Sequence, residues 1–495
     1  METSVERDTS VARSTREQVR HVGAVLALLV LVTAFVPGAR PTGWSTDFSA
    51  FYCAGEAIRT GHDPYRAEPI GTCERRPKPA GFHVGVRHVS LPAPLPPYAL
   101  ASFVPLSMLP YGVAVGVWFL LLLVALAITI EAMHRTSALP RVALFVVFAP
   151  IEGYSSLYLG ETAPIAVASI ALAAMFVQRG RYSKAALAIA PALIAPHVGL
   201  PAAVALFVCL PRTRAVLGAL ATCLGAISLA CAGPWTTLEY LRNVLPAHAL
   251  SEAESTQQLS LTGLLHMFGV STKLALHIGS ASYFATLLVG LLLSRKLARH
   301  DRRDALIVTL PTALVLTGGV FIHVTQMPAA LPAALLLFTR MDPVARRLVG
   351  AAVVLLAIPW DQPYLGLIFI PLAAGAAFLM LRDLLDESKA VALVGSLAAG
   401  GTVLALDLAF IYGAPYPIIR LPPINPHDLA EISWGLNVRA ISTWDPLTFD
   451  LARLPSWFAI ATIAAALIRF VLCRPNRGTT ENSGPFVFEG NLVSH

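Results

Sequence analysis

Long apolar runs alternate with short polar or proline-rich segments along most of the chain. Runs that approach about 20 residues are typical of helices that cross a membrane. The pattern predicts helices near residues 21–37, 112–133, 141–158, 162–178, 183–196, 198–210, 214–232, 278–294, 304–321, 327–340, 346–358, 364–382, 389–411 and 455–473. Short runs interrupted by proline, such as residues 186–210, need neighbouring helices to shield their free backbone groups from lipid, so we expect them to line a cavity.

The composition indicates an integral membrane protein. Hydrophobic residues make up 56% of the 495 and charged residues only 13%, and one soluble core cannot bury that many apolar runs. We predict an all-α polytopic fold with about 13–14 crossings and interfacial helices in the first outer loop. Residues 95–110 fit either a crossing or a re-entrant segment.

The distribution of arginine and lysine predicts the orientation. Basic residues precede the first helix and recur in the loops near residues 179–184, 212–214, 295–303 and 346–347, and such loops are usually cytoplasmic. The chain then divides into a cytoplasmic segment 1–20, a membrane domain 21–473 with outer loops 38–94, 233–277 and 413–454, and a cytoplasmic tail 474–495. The formal charge of +7 follows from the arginine excess of these loops, which also favours contact with anionic lipid head groups, and nucleic acid binding does not follow from it.

The first outer loop carries a carboxylate in a position suited to chemistry. Residues 48–59 have apolar positions at helical spacing, which predicts a short amphipathic helix at the interface. Asp47 directly precedes this helix. As an N-cap it would accept backbone N–H bonds and stay ionised; as a general base it would remove a proton from a sugar hydroxyl in a pocket that excludes bulk water. The two roles are compatible.

Two of the six cysteines, Cys53 and Cys73, share this loop. In an oxidising compartment they either remain thiols or form a disulfide that closes a loop of about twenty residues.

Several short motifs resemble a known family. They are Asp47 with Phe51-Tyr52 and Ala57; Gly61-x-Asp63-Pro64-Tyr65; Pro94-x-Pro96-Pro97-Tyr98; Pro105-Leu106-x-x-Leu109-Pro110; Gly160-Glu161-Thr162-Ala163-Pro164; Arg179-Gly180-Arg181; Gln258-x-Ser260-Leu261-Thr262; and His323 before Leu331-Pro332. Together they resemble the polytopic GT-C glycosyltransferases of family 87, which are similar to mycobacterial mannosyltransferases that use polyprenyl-phosphate mannose.

The resemblance implies a reaction and its partners. A sugar, with mannose and arabinose both plausible, moves by inverting chemistry from a polyprenyl-phosphate donor to a glycolipid or glycan acceptor on the outer face of the cell membrane. Asp47 is the expected base, and no cofactor is implied. The sequence contains no P-loop and no dinucleotide-binding motif, which agrees with a donor carried by lipid.

Further residues are candidates for substrate binding. Cations must stabilise the leaving phosphate, and we assign this role to His197 and His323. Contacts to the donor or acceptor are expected from Glu56, Arg59, Tyr65, Glu161 and Gln258, and from Arg439 with lower priority. This chain departs from the family at two positions: Glu161 replaces a usual glutamine, and His197 replaces a usual lysine.

A transport protein remains an alternative to an enzyme. Broken helices also form the midplane sites of secondary transporters and lipid flippases, although we find no repeat between the two halves of the chain. A third alternative is a non-catalytic partner in a cell-envelope complex, which no feature of the sequence supports. The scattered acidic and histidine residues show no metal-ligand spacing, so we predict metal-independent catalysis.

Overall fold

The computed structural model describes residues 45–76, 89–358, 386–413, 425–442 and 446–474, together with the single positions 360, 370, 374, 375 and 378. The predicted helix 21–37, most of the predicted helix 364–382 and nearly all of both terminal tails lie outside these residues.

The described chain is helical, which confirms the all-α prediction. Within these ranges the β-structure is a single isolated bridge between Arg66 and Leu429. The first nine helices are α1 (Thr46–Arg59), α2 (Ala67–Glu74), α3 (Pro97–Ala101), α4 (Val104–Ser107), α5 (Tyr111–Ser137), α6 (Arg141–Ile151), α7 (Ala163–Gln178), α8 (Tyr182–Ala188) and α9 (Pro196–Cys209). The later ones are α10 (Arg214–Glu239), α11 (Leu245–Glu252), α12 (Leu261–Met267), α13 (Thr272–His300), α14 (Leu306–Val315), α15 (Leu331–Phe338), α16 (Pro343–Ala357), α17 (Glu387–Gly413), α18 (Ala430–Ser442) and α19 (Pro446–Leu472).

Membrane-spanning character is supported by helix length and composition. Among the described residues, five helical segments are long and apolar enough to cross a bilayer: Tyr111–Ser137, Pro211–Glu252, Thr272–His300, Ser388–Asp407 and Leu447–Leu472. Six shorter apolar segments of 10–17 residues pack among them, as expected for helices shielded from lipid by their neighbours. The chain is therefore a polytopic membrane protein, and the total of 13–14 crossings stays a prediction.

Residues 95–110 do not form a single membrane-spanning helix. They form α3 and α4, which have five and four residues, whereas a hydrocarbon core of about 30 Å needs about 20 helical residues. Their backbone lies against α1: a Cβ added at Gly55 would come within 2.7 Å of the carbonyl carbon of Phe103. Proline at the start of each helix explains why an apolar stretch breaks into single turns.

The predicted outer loops 233–277 and 413–454 are more helical than their polar composition indicated. Helix α10 continues through a kink at Gly233, which has a φ of 75° and precedes Pro234. It then passes through a π-helical turn (Tyr240–Val244) into α11. Similarly, residues 413–454 contain α18 and the beginning of α19. The glycine accepts a backbone angle that other residues avoid, so a kink replaces the predicted loop.

The bundle has two chemically different ends. Helix α5 rises about 40 Å over its 27 residues. At its start, the Tyr111 hydroxyl donates to the Ser45 carbonyl at 3.4 Å. At its other end, Glu131 forms ion pairs with Arg135 and Arg141. We call the second end the basic end, since the arginines of the loops that follow α5, α7 and α13 lie there.

Ion pairs and hydrogen bonds join the helices at the basic end. The Gln178 side chain donates to the Thr136 carbonyl at 3.2 Å, which links the ends of α7 and α5. Asp304 lies between two arginines, at 2.7 Å from Arg340 and 3.0 Å from Arg474. This carboxylate thereby connects the beginning of α14 with the residues that follow α15 and α19.

The opposite end, which we call the site end, gathers segments from all three predicted outer loops. Arg66 forms ion pairs with Asp63 and with Glu239 at the end of α10, and it forms the isolated bridge with Leu429. Helix α11 packs against α18. Segments that are far apart in sequence therefore build one surface.

Candidate active site

Asp47 lies at the site end, in the first turn of α1. The helix begins at Thr46, and its N-cap is Ser45, whose φ of 53° is left-handed. The predicted role of Asp47 as the N-cap is therefore wrong. The N-cap is Ser45, two residues before Asp47. Its position is fixed because the Ser45 N–H donates to the Tyr158 carbonyl at 2.8 Å. The Asp47 carboxylate makes a long contact with the Thr46 hydroxyl at 3.5 Å and is not used for capping.

The loop that follows the π-helical turn Glu152–Leu157 fixes the start of α1. Gly160 has a φ of 77°, and a Cβ added there would come within 2.6 Å of Phe48 Cβ. Trp118 on α5 donates its ring N–H to the Gly160 carbonyl at 2.8 Å and stacks on Phe48 at 5.8 Å. Because Phe48 and Gly160 each adjoin a carboxylate in sequence, this contact brings Asp47 and Glu161 into the same site.

Replacement of Gly160 tests this contact. We expect Gly160→Ala to destabilise the protein by about 1–3 kcal/mol, because alanine is strained at positive φ and its Cβ would overlap Phe48. Transfer activity should fall as well, since the start of α1 must move away from Glu161. Thermal unfolding in detergent measures the first effect. Gly116→Ala on α5, where an added Cβ meets no atom within 4 Å and alanine favours the helix by up to about 1 kcal/mol, is the matched control and should lower neither quantity.

Burial and like charge set the protonation of the two carboxylates. Burial raises the pKa of Asp47 well above its usual range, and the negative charges of Glu161 and Glu252 add to the effect. Burial also raises the pKa of Glu161, although hydrogen bonds from Thr162 and the charge of His323 oppose the change. A carboxylate with a raised pKa is a stronger base when it is ionised, as acid–base catalysis near neutral pH requires.

His323 is the cationic candidate that the structure brings closest to this carboxylate group. Its Nε2 lies 3.5 Å from Glu252, and its side chain is 24% exposed. The ring N–H of Trp434 donates to the other oxygen of Glu252. Gln326 accepts a hydrogen bond from the His323 backbone N–H at 2.6 Å and donates to Glu161 at 3.4 Å. The histidine and both glutamates therefore belong to one connected network.

Two further histidine rings lie beside this network. His197, near the start of α9, and His248 on α11 lie 5.1 and 4.9 Å from the ring of Phe321. In the part of the chain that the structure describes, neither His197 Nε2 nor His248 Nδ1 has a hydrogen-bond partner. The sequence analysis missed His248 and Glu252. Their i, i+4 spacing, which places both on one helix face, was the available signal.

Two predicted contact residues lie away from Asp47. Glu56 forms an ion pair with Arg76 at 2.7 Å, and Arg59 is exposed at the end of α1. Along a helix that rises 1.5 Å per residue, they lie roughly 14 and 18 Å beyond Asp47. The structure therefore brings neither of them to the cluster of Asp47, Glu161 and Glu252.

The remaining predicted residues stabilise the surroundings of the site. Cys53 and Cys73 form a disulfide between α1 and α2, with their Cα atoms 5.6 Å apart. Tyr65 is buried and donates its hydroxyl to the Leu95 carbonyl at 2.8 Å. Gln258 is fully buried and accepts a hydrogen bond from the Ile322 N–H at 2.9 Å, so it supports the segment that carries His323.

The site described so far contains carboxylates, histidines and a tryptophan. Among the residues that the structure describes, no three histidine, cysteine or acidic side chains are grouped so as to hold a metal ion. Carboxylate and imidazole side chains can exchange protons and form hydrogen bonds with anions.

Comparison with known proteins gives a family. No curated protein and no solved structure matches the chain. The model of Glycosyltransferase family 87 matches residues 95–318, a region that contains Glu161, His197 and Glu252 and ends five residues before His323. Asp47 precedes it. The helical membrane fold is consistent with the GT-C superfamily, and the match over these residues indicates that the chain is a glycosyltransferase.

Proposed function

We propose that this glycosyltransferase moves a sugar, in the first instance mannose, from a polyprenyl-phosphate donor to a glycolipid or glycan acceptor. The reaction takes place on the outer face of the cell membrane. The observation that supports this proposal is the placement of Asp47 with Glu161 and Glu252 at the site end, about one membrane thickness from the arginines of the basic end. Since arginine-rich loops are usually cytoplasmic, the carboxylates then face outward.

The chemistry follows from one base and one direction of attack. Ionised Asp47 accepts the proton of an acceptor hydroxyl, and the oxygen attacks the anomeric carbon of the donor. A new C–O bond forms while the bond to the phosphate oxygen breaks, so the configuration inverts and polyprenyl phosphate leaves with the electron pair. A donor carried by lipid enters laterally from the bilayer, so no nucleotide-binding domain is required.

The leaving phosphate needs positive charge, which we assign first to His323. Its ring is partly exposed and lies 3.5 Å from Glu252, so a ligand can reach it. His197, with a buried Nε2 that lacks a described partner, is the second candidate for the position where the family usually has lysine. A protonated histidine adds charge-assisted hydrogen bonds to phosphate.

A transfer assay tests the function. Purified protein is incubated with labelled polyprenyl-phosphate mannose and membrane extract, with polyprenyl-phosphate arabinose in parallel, and products are identified by mass. We expect a product that carries one added sugar, formed with inversion. Translocation of labelled lipid in proteoliposomes without any glycoside product would instead support the transporter alternative.

Glu161 provides a test of the acid–base assignment. In Glu161→Gln the negative charge that raises the pKa of Asp47 is absent, so Asp47 ionises at lower pH. Because a base must be ionised to act, the acid limb of the kcat/KM profile should move to lower pH. Measurement of the normalised profile checks this. Glu68→Gln, on the exposed Arg75 ion pair, should leave the limb in place, and an unmoved limb in Glu161→Gln would contradict the assignment.

A further inference from the structure

A cavity lies at the site end, beside the network of His323. Its volume is about 470 Å³, within the range of about 300–1,000 Å³ typical of small-molecule sites. It lies between the segment that follows α11, helix α12 and the facing parts of α18 and α19. The lining residues are Ala253, Glu254, Ser255, Thr256, Gly263, His266, Met267, Arg439, Asp450 and Arg453.

The charged side chains that line the cavity balance one another. Arg439 pairs with Glu254 at 3.2 Å, and Arg453 pairs with Asp450. Two positive and two negative groups therefore leave no net charge to attract a phosphate. They instead present hydrogen-bond donors and acceptors side by side, which suits the hydroxyl groups of a saccharide.

Two polar groups of the lining retain unused hydrogen-bonding capacity. Arg453 is only 7% exposed, and its Nη1 donates to the Gln258 carbonyl at 2.9 Å. Among the described residues, Arg453 Nε and His266 Nδ1 are buried without a hydrogen-bond partner. These two atoms have almost no contact with the cavity space, so the hydrogen bonds offered to a ligand come from the exposed Arg439 and its partner Glu254.

The cavity and the carboxylate network share one backbone segment. Glu252 contacts His323, whereas Ala253 and Glu254 line the cavity. Gln258 binds Arg453 through its carbonyl and supports the residue before His323 through its side chain. A ligand in this cavity would therefore lie beside the site at which the sugar is transferred.

We propose that this cavity binds a saccharide unit of the acceptor, adjacent to the unit whose hydroxyl is glycosylated. The proposal rests on the proposed function, and it names the acceptor as an oligosaccharide or a glycan with at least two sugar units. The cavity then selects acceptors by their length and aligns the terminal hydroxyl with Asp47.

Direct binding measurements test the proposal without relying on catalysis. A dimannoside and an arabinose disaccharide are titrated into the full-length protein in detergent, with inorganic phosphate as a third probe. We expect one of the disaccharides to bind. Arg439→Ala should weaken that binding about tenfold through the loss of a charged hydrogen-bond donor. The matched control is Arg75→Ala, which also removes an exposed arginine from an ion pair with glutamate and should not change binding.

A second variant separates occupancy from charge. Met267→Trp places bulk against the cavity without altering any ion pair, and it should abolish disaccharide binding. The melting temperature of both cavity variants in detergent should stay near the wild-type value, which separates a loss of binding from a loss of folding. Failure of both disaccharides to bind, binding of phosphate alone, or unchanged affinity in Arg439→Ala would overturn the proposal. Absence of donor turnover by the wild-type protein would instead count against the proposed function.

Discussion

Asp47→Asn should reduce the rate of sugar transfer by about 10³-fold, within the range of about 10²–10⁴ that a positioned base contributes. Asparagine has nearly the same size but cannot accept the proton of the acceptor hydroxyl. Since the Asp47 carboxylate does not cap its helix, the fold should be retained. Removal of a half-buried carboxylate with a raised pKa should leave thermal stability unchanged or slightly increased at neutral pH.

The comparison needs three measurements on the same preparation. Transfer is measured with the labelled donor, donor binding by titration, and folding by the melting temperature in detergent. Glu68→Gln alters another carboxylate of the same outer region, where it pairs with the exposed Arg75, and it should keep near wild-type transfer. If Asp47→Asn retains more than about a tenth of wild-type activity, another group must be the base. An effect on lipid translocation instead of transfer would favour the transporter class.

His323→Gln should reduce kcat by about 10²-fold, the loss typical when one donor that stabilises developing negative charge is removed. Glutamine retains a hydrogen-bond donor toward Glu252 but carries no charge, so the leaving phosphate loses a cation. We expect the loss in kcat to exceed any change in KM for the donor, because the negative charge grows as the bond to the sugar breaks.

Folding and donor binding distinguish this role from a structural one. Loss of the cation should lower kcat while the melting temperature in detergent and the affinity for the donor stay near their wild-type values. His277→Asn, an exposed histidine on α13, is the matched control and should retain all three quantities. A melting temperature that falls together with kcat would assign His323 a structural role instead.

The all-α membrane architecture could be predicted from the sequence, because it depends on local patterns of apolar residues. Apolar runs marked nearly all of the described long helices, and short motifs led to Asp47, Glu161 and His323. From the sequence, residues 95–110 fit either a crossing or a re-entrant segment, because apolarity alone does not distinguish a long helix from single turns. In the structure, the prolines that begin α3 and α4 break this stretch into two short helices.

Contacts between distant segments account for what the sequence missed. Glu252 and His248 lie in a region predicted as a loop, and their importance depends on the approach of His323 from about 70 residues later. The sequence could not show that Ser45 and not Asp47 caps the helix. The hydrogen bond from Ser45 to Tyr158, which fixes the start of the helix, joins residues more than 100 positions apart. Glu56 and Arg59 have suitable chemistry, but the helix carries them away from the site.

The pairing of Asp304 with Arg340 and Arg474 has a consequence for how the protein is made. Arg340 leaves the ribosome 36 residues after Asp304, whereas Arg474 does not leave it until 170 residues after Asp304. During synthesis the carboxylate can find its first arginine early, whereas the second arrives with the last described helix. The basic end therefore closes late, and a chain released before α19 is complete should expose an open seam between inserted helices to quality-control proteases.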